Sequence, residues 1–417
     1  MGTVETLRAV ETVWRIESAR LIAGLARLTR DLSQAEELAQ EALEAALRQW
    51  PEEGVPRNPG AWLMAAGKRR AVDGFRRSSM IERKHRELAD ELDPVDLSAE
   101  TIEDRIDDDI GDELLALIFT ACHPVLGTEA RVALTLKLIA GLSTEEIANA
   151  FLTSETTVAQ RIVRAKKALA NADVAYEVPR GAERDARLCS VLEVIYLIFS
   201  EGYSPAAEDA WTRPALCEEA MRLGRILAGL APGDAEVHGL IALMELQASR
   251  LPTRTGPDGA PVLLLDQDRS RWDRTLIQHG LKALAVAERT SPSGPYTLQA
   301  AIAACHARAL TPEATDWAGI AARYDDLYRV LPSPVVDLNR AVAKAMAYGP
   351  AVGLALVDGI IAEGSLGDYH LLFSVRGEFL TRLGRNDEAR CALLKAATLA
   401  RSVRERKLME ERAAALA

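Results

Sequence analysis

The chain has 417 residues, enough for two to four domains at roughly 150 residues each. With 48% hydrophobic and 27% charged residues, and ordinary amounts of Gly and Pro, it is neither collagen-like nor disordered nor of low complexity. Aromatics make up only 5% while Ala, Leu, Arg and Glu dominate, so the expected fold is all-α, and the formal net charge of -11 argues at first sight against a nucleic-acid partner.

The start, Met1-Gly2-Thr3-Val4-Glu5, lacks the basic and apolar parts of a secretory leader, and no stretch approaches 18 consecutive apolar residues. Five cysteines, odd in number and spread from Cys122 to Cys391, suit a reducing compartment better than a disulfide framework. The expectation is a cytoplasmic protein with no membrane partner.

A first helical piece is expected over 6–86. Ser33-Gln34-Ala35-Glu36 reads as a capping box opening a helix that reaches Trp50, and Glu37, Gln40, Glu41 and Glu44 share one side of it. An acidic face next to a DNA-binding unit suits a basic protein partner, although a solvated face would look the same. Asn58-Pro59 reads as an N-cap followed by Pro at the first helical position. On the helix from Pro59 to Arg77, Met64, Ala71, Val72 and Phe75 form an apolar side, and Trp62, Arg69, Arg70, Asp73, Arg76 and Arg77 lie opposite. Such a face can stack an unpaired base on the indole and track its phosphates with guanidinium groups. Alternatively, Trp62 packs under the Val55 to Gly60 loop and the arginines are simply solvated.

The negative charge is concentrated in one place. Between Glu87 and Glu113 there are thirteen acids against the single Arg105, so 87–112 reads as an acidic linker, while the flanking segments carry basic patches. The next piece, 113–172, contains Gly141-Leu142-Ser143-Thr144-Glu145-Glu146-Ile147-Ala148, then Phe151-Leu152-Thr153-Ser154, then a helix from Glu155 to Leu169. Ser143 with Glu146 forms a capping box and Ser154 can cap the second helix, which gives a helix-turn-helix. At about 100° per residue, Val158, Ile162, Ala165 and Leu169 fall on its inner side, and Thr156, Thr157, Gln160, Arg164 and Lys167 on its outer side. Gln160 and Arg161 are the expected base readers in a major groove, with Arg164, Lys167 and, more laterally, Lys166 on the phosphates.

A third region, 184–417, repeats small residues and Leu at helical spacing between turns such as Ala231-Pro232-Gly233-Asp234 and Tyr348-Gly349-Pro350, which predicts helical hairpins. Gly377 to Ala389 resembles a tetratricopeptide (TPR) unit, without a strict 34-residue period. Gly256-Pro257-Asp258-Gly259 followed by Val262-Leu263-Leu264-Leu265 predicts a turn and a short extended stretch before Asp266-Gln267-Asp268-Arg269.

Together, Asp31 to Leu43, Trp62-Leu63 and Arg70-Ala71-Val72-Asp73-Gly74-Phe75-Arg76-Arg77 resemble region 2 of the extracytoplasmic-function (ECF) sigma factors of bacterial RNA polymerase, sigma-70 family. The helix-turn-helix resembles their region 4, and the acidic linker stands where region 3 is absent. The long C-terminal part, with Phe199-Ser200-Glu201-Gly202-Tyr203 and Asp266 to Trp272, is similar to the subgroup with a fused TPR-like domain. The resemblance implies that Asp31, Glu36, Glu37, Gln40 and Glu41 lie on the helix that meets the polymerase clamp. It implies that Trp62, Arg69, Arg70, Asp73, Arg76 and Arg77 read and open the -10 element. Thr156, Thr157, Gln160, Arg161, Arg164 and Lys167 would bind the -35 element, and the Leu136 to Ile147 side would lie near the polymerase flap. Ala159 stands where relatives often carry a polar or basic residue, so their promoter sequence does not transfer.

Cys122-His123 and Cys305-His306 invite a metal reading, but adjacent residues rarely chelate one ion together and no CxxC or HxxxH spacing occurs. No GxGxxG, P-loop, GxSxG or HExxH pattern nominates a cofactor cradle or a nucleophile. The expectation is no enzyme, no cofactor and no metal, with core RNA polymerase and promoter DNA as partners. A further protein, or another part of the chain, could engage the TPR-like region, where regulation and plain stabilisation stand equally open. Two rival readings remain at this level. An ordinary helix-turn-helix regulator with a helical sensor domain leaves residues 31–77 unexplained, and a helical scaffold leaves Thr156 to Lys167 unexplained.

Overall fold

The computed structural model describes residues 3–86, 110–151, 153–203, 213–256, 262–291, 293–364, 366–400 and 403–416. The acidic linker expected over 87–112 lies outside them up to residue 109, as do Leu152 of the turn and the Pro257-Asp258-Gly259 segment. The fold is all-α, with no strand element among the described residues. The chain divides into two compact units, Met1–Glu201 and Gly202–Ala417.

The first unit contains α1 (Thr3–Thr29), α2 (Leu32–Glu53), α3 (Pro59–Arg86), α4 (Ile110–Ala121), α5 (Thr128–Leu138), α6 (Thr144–Ala150), α7 (Glu155–Asn171) and most of α8 (Gly181–Tyr203). Helix α1 is its common wall and packs against α2, α3, α4 and α5. Its buried face, Leu21, Ile22, Leu25 and Ala26, meets Ala35, Ala39, Ala42 and Trp50 of α2, Leu63 and Ala71 of α3, and Leu117 and Phe119 of α4 within one core. Small residues let α1 and α3 approach closely. A Cβ at Gly24 would lie 2.6 Å from Met64 Cε, and one at Gly67 would lie 3.0 Å from Leu25 Cδ1.

Two local expectations on this unit change. Asp31, not Ser33, is the N-cap of α2: its carboxylate accepts from Ser33 N at 2.7 Å and Gln34 N at 3.2 Å. A charged acceptor at a helix N-terminus also meets the macrodipole, which explains the one-turn competition. On α3 the buried face is Leu63, Ala66, Gly67 and Ala71, while Val72 is exposed. Asn58 does cap α3, accepting from Ala61 N at 3.1 Å, with Pro59 at the first position.

The second unit contains α9 (Pro214–Leu230), α10 (Ala235–Ala248), α11 (Arg274–Thr290), α12 (Pro295–Arg308), α13 (Trp317–Val330), α14 (Pro334–Tyr348), α15 (Pro350–Ala362), α16 (His370–Arg382), α17 (Asn386–Leu399) and α18 (Val403–Ala414). Successive helices pack in hairpin fashion, and α10 is buried almost all round. The α16–α17 hairpin turns through Gly384 at φ 71°, and Ala389, Ala392, Ala396 and Ala397 let α17 lie close to its neighbours. The sequence had suggested an extended stretch over Val262 to Leu265. Instead Asp266 N bonds Leu263 O at 2.9 Å and closes a turn, while Val262 N bonds Arg254 O at 2.8 Å and Val262 O accepts from Gln267 Nε2 at 3.1 Å.

Side chains at a distance organise this unit. Helix α12 has Gly294 as its N-cap and no cap from that residue, so Glu236 of α10 serves instead, accepting from Tyr296 N at 2.8 Å and from Thr297 N at 3.0 Å and Oγ1 at 2.8 Å. The guanidinium of Arg269, 3% exposed, gathers the carbonyls of His306, Ala309 and Thr311 at 3.1–3.2 Å and donates to Thr315 Oγ1 at 3.0 Å.

His306, buried edge-on against Trp317 at 5.2 Å between ring centroids, is pushed down to about 4 by burial first and then by Arg250 and Arg269. The unfolded imidazole takes its proton near pH 6.5, so between the two values the unfolded chain binds more protons than the native one. The stability contributed by the neutral ring is complete above about pH 6.5 and is lost as pH falls toward 4, roughly 3 kcal/mol in all. His306→Phe keeps a ring there and is expected to flatten that slope. Urea midpoints measured from pH 7 to 4.5 test it, and an unchanged slope in the variant would exclude His306 as the source.

Candidate nucleic-acid interface

The helix-turn-helix is built by local chemistry. Gly141, at φ 70°, takes the left-handed conformation that lets the chain leave α5, and Leu142 N bonds Leu136 O at 3.1 Å. Ser143 and Glu146 then form the expected capping box on α6, with bonds of 3.0 and 2.7 Å. Ser154 caps α7 by accepting from Thr157 N at 3.1 Å. Val158, Ile162, Ala165 and Leu169 are the buried residues of α7, the four that the periodicity places inward.

The outer side of α7 is uneven. Thr156, Gln160, Arg164 and Lys167 are exposed along one stripe. The Thr157 hydroxyl is 2.7 Å from Ser154 Oγ, and Arg161 makes a 2.7 Å ion pair with Glu129 of α5. Lys166 turns away from the stripe and binds the Glu36 carboxylate of α2. Leu136, Leu138, Ile139 and Ile147 are all buried, while Ser143, Glu145 and Glu146 in the same stretch are exposed.

On α3, Trp62 is half-buried and meets the fully buried Trp50 edge-on, with ring centroids 5.4 Å apart at 68°. Arg69 is exposed and its Nε bonds Ala65 O at 3.2 Å, while Asp73 is exposed. Arg70 is half-buried and pairs with Glu41 of α2 at 2.7 Å, which joins two of the expected surfaces. Arg76 and Arg77 continue the backbone of α3, but their side chains lie outside the described residues.

The acidic face of α2 lines an open cleft of about 810 Å³. Asp31, Glu36, Glu37, Gln40, Glu41 and Glu44 are on one wall, and Val163, Lys166 and Lys167 of α7 are on the other. Sequence reading missed this juxtaposition, and also the Lys137 ammonium of α5, 3.9 Å from Glu36 Oε1. No motif could have found it, because these residues lie about a hundred positions apart in the chain.

Cys122, Cys305 and His306 are buried, while His123 Nδ1 accepts from Val125 N at 3.1 Å in the turn after α4. Burial first pushes the Cys122 thiol up to about 12, and its sulfur is 3.3 Å from Thr135 Oγ1. The Cys305 thiol donates to Ala301 O at 3.4 Å within α12. No helix among the described residues is long and apolar enough to cross a membrane.

Comparison with known proteins then decides the family. Residues 16–80 match the family model for sigma-70 region 2, and residues 116–169 match sigma-70, region 4. The chain belongs to the sigma-70 family. It is an ECF-like RNA polymerase sigma factor with an extra C-terminal helical domain, and residues 187–288 of this sigma factor match a family of unknown function (DUF6596). It is also 43% identical over 386 residues to an uncharacterised protein of Rhizobium meliloti (strain 1021), covering 92% of this chain and 90% of the relative. Sigma factors of this family act in transcription initiation, binding core RNA polymerase and promoter DNA rather than carrying out catalysis.

Proposed function

We propose that this sigma factor directs promoter-specific initiation in the cytoplasm, with residues 6–86 as region 2, 87–112 as an acidic tether, 113–172 as region 4, and 184–417 as a TPR-like domain that modulates activity. The observation that carries the reading is the capped α7 with its exposed stripe of Thr156, Gln160, Arg164 and Lys167, in the segment that matches region 4. On this reading Gln160 meets a base edge in the major groove, and Arg164 and Lys167 meet phosphates of the -35 element. Arg161 reaches DNA by exchanging Glu129 for a nucleic-acid partner, and Thr157 does so by turning from Ser154.

In region 2, Trp62, Arg69, Arg70, Asp73, Arg76 and Arg77 form the surface for the -10 element, with Trp62 offering a ring to an unstacked base. Asp31, Glu36, Glu37, Gln40 and Glu41 lie on or at the start of the helix that meets the polymerase clamp. Of these, Asp31 also caps the helix through one carboxylate oxygen and so holds the face in place. The region 4 surface around α5 and α6 is the part that faces the flap. No bond is made or broken by the chain itself, because the polymerase forms the phosphodiester.

Run-off transcription with cognate core polymerase tests the whole reading, since only a sigma factor gives a defined start. Failure at a verified promoter would favour an ordinary duplex-binding regulator. A narrower test is Arg164→Ala with Lys167→Ala. The log-log salt dependence of -35 duplex binding is expected to lose about 1.8 in slope, close to 0.9 for each phosphate contact. An unchanged slope would remove both residues from the interface.

A further inference from the structure

Glu36 is the most enclosed member of the acidic face on α2, and it is already occupied. Lys166 of α7 binds its Oε2 and Lys137 of α5 lies 3.9 Å from its Oε1. The three side chains are only 14–22% exposed, so the pair is partly desolvated and salt screens it little. Two cations converge on one carboxylate, while Glu37 and Glu44 on the same helix are exposed, Glu44 with Arg48 at 3.9 Å. The contact is braced nearby. The Tyr176 hydroxyl shares its proton between the carbonyls of Ala23 at 3.1 Å and Glu113 at 2.9 Å, and Arg27 pairs with Glu113 at 2.9 Å.

A basic surface of polymerase seated on α2 would need the carboxylate that these lysines hold, and one carboxylate cannot serve both at the same distance. Resting on the reading of α2 as the polymerase face, we propose that this acidic face is one docking surface with two alternating cationic occupants. One is Lys137 with Lys166 of the same chain, and the other is a basic patch of the core enzyme. The free chain is therefore closed over its own polymerase site, and the core enzyme seats only by displacing the lysines. Because Lys166 points laterally from α7, the pairing leaves Gln160, Arg164 and Lys167 exposed. Closure thus blocks polymerase and not duplex DNA.

Zero-length carbodiimide coupling on the full wild-type chain reads the contact directly, since it joins an amine to a carboxylate only where they touch. A Glu36–Lys166 cross-link is expected by mass spectrometry in the free chain and should vanish when core polymerase is added. In parallel, Lys137→Gln with Lys166→Gln should bind core polymerase about tenfold tighter than wild type. A cross-link that persists in the complex, or equal core affinity for variant and wild type, overturns the alternation and leaves the sigma reading intact. If neither protein binds core enzyme at all, the polymerase reading of α2 falls and the alternation falls with it.

Discussion

Arg269→Leu is expected to lower the stability of the second unit by about 3–5 kcal/mol. The leucine fits the space of the stem but abandons the carbonyls of His306, Ala309 and Thr311 and the hydroxyl of Thr315, all now gathered by one guanidinium. These acceptors sit at the end of α12 and in the loop after it, where no helical N–H is available to replace the lost donors. Arg269→Lys keeps the charge but offers a point donor in place of a planar fork, so it should recover only part of the loss. Urea unfolding followed by tryptophan fluorescence checks this, since Trp272 and Trp317 lie in the same region. A loss below about 1 kcal/mol would show that the loop finds other donors. The leucine variant should also bring the His306 pKa back toward its ordinary value, because Arg269 is one of the charges that depress it.

Trp50→Ala carries a comparable cost, about 3–5 kcal/mol, in the first unit. The ring is only 2% exposed and forms the wall against which Trp62 rests. Its Nε1 has no hydrogen-bond partner, so Trp50→Phe abandons no bond and should cost only about 1–2 kcal/mol. The functional consequence separates from the stability one. With the wall gone, Trp62 loses the contact that orients it, and strand opening at the -10 element should fall in the alanine variant more than duplex binding does. Permanganate footprinting of open complexes alongside urea melts tests both halves. Equal effects of Ala and Phe on stability would mean that the site collapses around the missing ring.

The elements governed by neighbours in the chain were legible from the sequence. Ser143 with Glu146, Ser154, Asn58-Pro59 and the inward face of α7 are all short-range signals, decided within one or two turns. Competition within a turn misled the reading at α2, where Asp31 outbids Ser33 as the acceptor for the first amides. Periodicity misplaced Val72, because the face of α3 is set by where α1 lies, and Gly67 rather than a larger residue marks that line. Least legible were the pairings across the chain: Glu36 with Lys166 and Lys137, Tyr176 with Ala23 and Glu113, and Arg269 with the end of α12. Nothing in composition or spacing encodes a partner that lies from 37 to 153 positions away. The Asp266 to Arg269 run, conspicuous in the sequence but without a visible purpose, turns out to supply that arginine and the Asp268 carboxylate, which accepts from Ser270 N at 2.9 Å.

The closing of α12 by Glu236 bears on how the second unit assembles. A fourteen-residue helix is marginal alone in water, and this one lacks a start signal in its own preceding residue. Its first amides wait for a carboxylate encoded 60 positions upstream. A newly made segment from Pro295 to Arg308 therefore gains helical order only once α10 is already formed and alongside, which gives this unit a built-in sequence of events, with the centre preceding the layer laid on it.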